Sequence, residues 1–158
     1  MNVDDVMFFI TATRSVLQAD LQVDIIMGRP AAGSGGEDFI GDVSGIIEFE
    51  GAITGSMVLV SPASTAREIV RRVRTERSEF DESDISEVLG PLLARIRSEV
   101  ATGLEGRDVH VGRPSVVIGH GHRFRPAGDC SCVSIPIGGG LGRLRLEVAL
   151  EPVPVEAC

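Results

Sequence analysis

His120, His122, Cys130 and Cys132 are of the residue types that bind transition metals. Two imidazoles and two thiolates make a suitable zinc set. Each pair is spaced i, i+2, so on a strand each would point to one face. A hairpin would then bring the two pairs together. The competing reading is surface histidines and small thiols packed in the core. Gly138 to Gly142 suggests a phosphate cradle, but no helix follows it, so it reads as a flexible turn. Arg67, Arg71 and Arg74 share one helix face. They could meet an acidic partner, or form a solvated face paired with Glu68 and nearby acids. No Ser, His and Asp arrangement stands out.

The composition removes other chemistry. All 15 basic residues are Arg, so a Walker-type phosphate loop, a Schiff base and a lysine base are excluded. Asn2 is the only Asn, and Gln18 and Gln22 are the only Gln. Side-chain amides that could aim a water molecule are therefore scarce. The net charge of −8 argues against nucleic acid as a partner. The 158 residues suit one domain, expected over 1–150, with 151–158 as a tail carrying two Pro. Three cysteines without framework spacing point to a reducing compartment. Met1 to Asp5 is acidic where a signal peptide would be basic, and no apolar run approaches the ~20 residues of a membrane span. A whole, cytoplasmic protein with no cofactor and no membrane association is expected.

The elements that must position these groups follow from periodicity. Val6, Phe9, Ile10, Thr13 and Leu17 recur at helical spacing within 3–20. Val23 to Met27 reads as a strand, followed by a loop over 31–38. Val43 to Glu50 and Ile53 to Val60 read as strands joined by a tight Gly51-Ala52 hairpin. Pro62, Ser64 and Thr65 open a second helix running to Arg74, with Ile69, Val70 and Val73 as its apolar face. A third helix starts near Glu82, capped by Ser83 or Asp84. Its apolar stripe is Ile85, Val88, Leu89, Leu92, Ile96 and Val100. Glu87, Pro91, Ala94 and Ser98 line the opposite stripe, and Gly90-Pro91 predicts a kink or a restart. Val109 to Ile118, Cys132 to Ile137 and Arg143 to Leu150 read as strands. Runs of strands and runs of helices, without strict alternation, predict an α+β fold with a mainly antiparallel sheet.

Three stretches together resemble the CheX-like chemotaxis phosphatases, relatives of CheC. They are Met1-Asn2-Val3-Asp4 leading into Phe9-Ile10 and Ala12-Thr13; Asp42 to Ile47 with Phe49, Gly51 and Gly55 to Leu59; and Gly112 to His122. The similarity runs in order over roughly 1–150. It implies helices packed on a mainly antiparallel sheet, often dimerising through sheet edges. It also implies binding of the phosphorylated response regulator CheY and hydrolysis of its aspartyl phosphate. In the family, a Gly-Glu-x-x-Asn pattern on the third helix does the work. The Glu reaches the regulator's lysine, and the Asn orients the attacking water.

This sequence departs from that pattern. Gly90 falls where the family's Gly falls, but Pro91 takes the Glu position and Ala94 the Asn position. Neither can do the chemistry. Glu87, one turn before Pro91, is the remaining catalytic candidate. The partner-binding face is expected to be Glu87, Pro91, Ala94, Arg95 and Ser98. The leading expectation is a CheX-like homodimer that binds a phosphorylated CheY-like response regulator without efficient phosphatase activity. One alternative is an active phosphatase with a remodelled site, its water aimed from elsewhere, for example by Gln18. The other is a metal-binding module built on His120, His122, Cys130 and Cys132.

Overall fold

Three helices and eight strands form the computed structural model, which describes residues 3–32, 40–74, 81–123 and 131–151. The helices are α1 (Val3–Leu21), α2 (Ala63–Val73) and α3 (Glu82–Gly103). The strands are β1 (Ile25–Met27), β2 (Ala31–Ala32), β3 (Ile40–Gly51), β4 (Gly55–Ser61), β5 (Val109–Val111), β6 (Ser115–Arg123), β7 (Ser131–Gly139) and β8 (Leu144–Leu150). Their order in the one sheet is β1-β7-β8-β4-β3-β5, with β2 beside β7 and β6 beside β3. Every pairing is antiparallel. The expected α+β fold with an antiparallel sheet is the fold observed.

Alternation decides which sheet face the helices cover. Val43, Ile47 and Phe49 of β3, Met57 and Leu59 of β4, and Leu144, Leu146, Val148 and Leu150 of β8 belong to the main core. That core also takes Val6, Phe9, Ile10 and Leu17 of α1, Ile69 and Val70 of α2, and the full predicted stripe of α3. Phe9 stacks on Phe49 with ring centroids 5.0 Å apart. The other sheet face holds a small cluster of Val58 and Val60 with Ile46.

Five local expectations are corrected. β3 does not stop at Glu50. Glu50 and Gly51 pair with His110 and Val109 of β5, so β4 starts only at Gly55 and the Gly51-Ala52 hairpin is really a longer connection. Gly51 has φ +126 and lies against the Asp108 carbonyl, a place no side chain fits. Val109 to Ile118 is two strands, because Gly112, Arg113 and Pro114 interrupt it and Pro cannot donate to a ladder. Ala31 and Ala32 are not loop; they pair with Ser134 and Val133. Val73 is 51% exposed and does not join the apolar face of α2. Finally, of the kink or restart expected at Gly90-Pro91, the restart does not occur, since α3 is one helix through Pro91.

Glu147 is a buried carboxylate on β8, opposite Val58 and Ser134. Burial pushes its pKa up, outweighing the Ser134 hydrogen bond and the Arg145 charge. The folded state therefore holds this proton more tightly than the unfolded chain. The contribution of this group to stability is fully present below the unfolded carboxylate range and is lost as pH rises through the raised folded value. Glu147→Gln cannot ionise, so it should melt higher than the parent at pH 7 by ~2–4 °C per kcal/mol recovered. The gain should vanish near pH 4. Melting curves at both pH values check this, and an equal gain at both would rule out the ionisation account.

Candidate functional site

The α2–α3 connection is built from charged side chains. Asp42 Oδ2 accepts the Ala63 N–H at 2.9 Å and so caps α2 from β3. Pro62 stands at the N-cap and has no capping side chain of its own. Arg74 ends the helix, its N–H donating to the Val70 carbonyl at 2.7 Å. The α3 cap is Asp81, not Ser83 or Asp84. Asp81 Oδ1 accepts from the Asp84 N–H, and Asp84 Oδ2 accepts from the Asp81 N–H, both at 3.0 Å. This reciprocal box uses Asp84 where Glu or Gln is the usual partner.

Arg74 reaches across this connection. Its Nη1 lies 2.7 Å from Asp84 Oδ1 and its Nη2 lies 2.7 Å from Glu87 Oε2. The Glu87 hydrogen bond, then the nearby carboxylate charges, hold the guanidinium above its ordinary pKa. On the other flank, Arg95 Nη1 lies 2.7 Å from Asp20 Oδ1 of α1. Beneath, Arg97 donates to the Val111 and Gly112 carbonyls at 2.9 and 3.1 Å, where the chain turns from β5 towards β6. Leu93 packs on the sheet at Gly45. Three ties thus fix α3: to α2, to α1 and to the sheet.

The stripe of α3 opposite its apolar side is the exposed one. Glu87, Pro91, Ala94, Arg95 and Ser98 are all exposed. A Cβ at Gly90 would meet no neighbouring atom within 4 Å, so a partner can approach the helix backbone there. Pro91 lacks both an ionisable group and an N–H, and Ala94 ends in a methyl group. At the centre of the face there is no group that could take a proton or aim a water. Glu87, the remaining carboxylate, is committed to Arg74.

Other sequence candidates lie elsewhere. Gln18 Oε1 accepts from the Ile25 N–H at 3.2 Å and from Arg14 Nε at 3.4 Å, so this oxygen serves the joint between α1 and β1. Arg71 and Arg72 both pair with Glu68, at 2.7 and 3.2 Å. The Arg71 hydrogen bond is the main reason that the Glu68 carboxyl sits below its usual range. Arg71 and Arg74 are therefore both ion-paired members of the Arg67, Arg71, Arg74 stripe. β6 and β7, the strands expected to form a hairpin for His120, His122, Cys130 and Cys132, do not pair with each other. β8, β4 and β3 stand between β7, which holds Cys132, and β6, which holds the histidines. Cys130 and the two imidazoles lie outside the described residues. Among the described residues no group of three or more His, Cys, Asp or Glu could hold a metal. The sequence reading missed Arg74 and Asp20 as partners of Glu87 and Arg95. Both pairings join different helices, and no i, i+4 rule could have found them.

The family model for the chemotaxis phosphatase CheX matches residues 43–138. Among solved structures, chemotaxis protein CheX from Desulfovibrio desulfuricans is similar at TM-score 0.83 and 22% identity, over 94% of this chain and 100% of that one. Chemotaxis protein CheX from Vibrio vulnificus gives 0.83 and 25%, again over 94% and 100%. A chain of the CheX–CheY–BeF3–Mg2+ complex from Borrelia burgdorferi gives 0.77 and 23%, over 96% and 100%. No curated protein matches the sequence.

Proposed function

The chain belongs to the CheX family of chemotaxis phosphatases, and we propose that it binds a phosphorylated CheY-like response regulator on the exposed face of α3 without speeding the loss of its aspartyl phosphate. The observation that carries this reading is Pro91 and Ala94 at the centre of that face. An aspartyl phosphate is intrinsically labile, so a phosphatase for it works mainly by positioning water. A pyrrolidine ring and a methyl group supply no such positioning. What remains is a docking surface, and the protein acts as a sequestering or scaffold module in the cytoplasm. The Borrelia burgdorferi neighbour was crystallised with CheY, which supports a receiver domain as the partner class. No helix among the described residues is long and apolar enough to cross a membrane.

The test follows a phosphorylated CheY-like regulator with and without excess protein. The expected outcome is co-elution on gel filtration together with a decay rate equal to that of the regulator alone. Decay ten times faster would overturn the reading. We also propose a homodimer formed through β6, which pairs with β3 and, among the described residues, has no strand on its other edge. Val117 on this strand is 41% exposed. Sedimentation of the same samples should give a two-copy mass, and a one-copy mass would remove the dimer.

A further inference from the structure

We infer that Arg95 is a specificity-determining group of the α3 face, and that it binds a surface carboxylate of the regulator. The inference rests on the reading that α3 is the docking face.

Three guanidiniums border this face, and they are engaged differently. Arg74 has Nη1 on Asp84 and Nη2 on Glu87, both at 2.7 Å, and its side chain is 29% exposed. Arg97 is half-buried and gives Nε and Nη2 to the Gly112 and Val111 carbonyls. Both hold α3 to its neighbours. Arg95 is 61% exposed, and only its Nη1 is engaged, on Asp20 Oδ1 at 2.7 Å. Among the described residues Arg95 makes no other hydrogen bond or ion pair, and Glu99, one turn on, does not reach it. Its Nε and Nη2 are left to solvent beside Ala94.

Those two nitrogens share one edge of the planar fork, the edge that grips a carboxylate through two parallel N–H···O bonds. Arg71 uses the same edge on Glu68 in this protein, with Nε at 2.9 Å from one oxygen and Nη2 at 2.7 Å from the other. Asp20 anchors the opposite corner of the Arg95 fork from α1, and its side chain is only 17% exposed. A fork held in place loses less freedom on binding. Asp20 also draws the guanidinium towards the α1 flank, away from the centre of the stripe. The anion it meets is therefore a carboxylate at the regulator's rim. Beside it, Gly90, Pro91 and Ala94 carry no charge and little bulk, so a partner can come close. Glu87, the other charged group of the stripe, lies ~12 Å away at 1.5 Å of helix rise per residue and is tied to Arg74. An arginine edge next to a small apolar patch is a common composition for an interface hot spot.

Fluorescence titration of the full chain with a phosphorylated CheY-like receiver tests this, with phosphodonor and Mg2+ present throughout. Arg95→Glu should weaken binding by about tenfold or more. Asp20→Asn takes the charge from the same pair but keeps the cation and an acceptor oxygen, so its affinity should stay within about threefold of the parent. Reversing one surface Asp or Glu of the receiver to Arg, outside its phosphorylation site, should restore binding to Arg95→Glu. Melting curves establish that each variant is titrated in its folded state. Unchanged affinity in Arg95→Glu would overturn the inference. So would an equal loss in Asp20→Asn, which would make Arg95 a strut between α1 and α3. Rescue by none of the receiver's carboxylates would overturn it as well and leave the phosphoryl group as the anion. In these three cases the parent still binds and the docking reading stands. A parent that does not bind would defeat the docking reading itself.

Discussion

Pro91→Glu combined with Ala94→Asn should turn this protein into a phosphatase. One correctly aimed polar group in an enzyme site is worth about 10²–10³ in rate. A grafted group has no refined surroundings, so we expect at least ~10-fold acceleration of phosphate release over the regulator's own decay. The scaffold is ready for the change. α3 is continuous through 91, both positions are exposed, and Gly90 leaves the approach open. A carboxylate at 91 lies four residues before Arg95, a favourable helical spacing. Pro91→Glu alone should also stabilise the fold. A helix-interior Pro is about 3 kcal/mol less favourable than a good helix former. At ~2–4 °C per kcal/mol for a chain of this size, the melting point should rise by several degrees. Docking with no gain in phosphate release would mean that α3 is not presented as the active members of the family present it.

Pro91 also shows where sequence reading succeeds and where it stops. Its place on the exposed stripe was legible, since Ile85, Val88, Leu89, Leu92, Ile96 and Val100 fix the buried side by periodicity alone. That the helix continues through it was not. A capped start at Asp81 and buried Leu92 and Leu93 just beyond it favour one helix over two, and local sequence does not weigh those terms. The strand ends were misread for a related reason. β3 runs on to Gly51 because β5 pairs with its last residues, and Ala31-Ala32 is a strand because β7 lies beside it. Such boundaries are set by partners far along the chain. The same holds for the Glu87–Arg74 and Arg95–Asp20 pairs, which no spacing rule could reveal. That Pro stands at 91 and Ala at 94, by contrast, needed only the residues themselves.

The second large effect concerns the seat that holds this face in place. A methyl group at Gly45 would lie 2.5 Å from both δ carbons of Leu93, closer than carbon atoms can pack. Gly45 pairs with Leu59 on one side and Val116 on the other, so the sheet cannot simply move away. Gly45→Ala should therefore cost about 1–3 kcal/mol by overpacking. Leu93 is 2% exposed, and Leu93→Ala should cost about 2–5 kcal/mol by leaving a cavity. The two changes act on one contact, since truncating Leu93 makes the room that the new methyl needs. The double variant should thus lose less than the two singles together, by about 0.5–3 kcal/mol. Denaturant unfolding of all four proteins measures this coupling, and strict additivity would show that the close approach is not the constraint. Function should follow the same pattern. Leu93 lies between Pro91 and Ala94 in sequence and faces the sheet beneath them. Lifting it with Gly45→Ala tilts the outward stripe, so regulator affinity should fall with stability and partly return in the double variant.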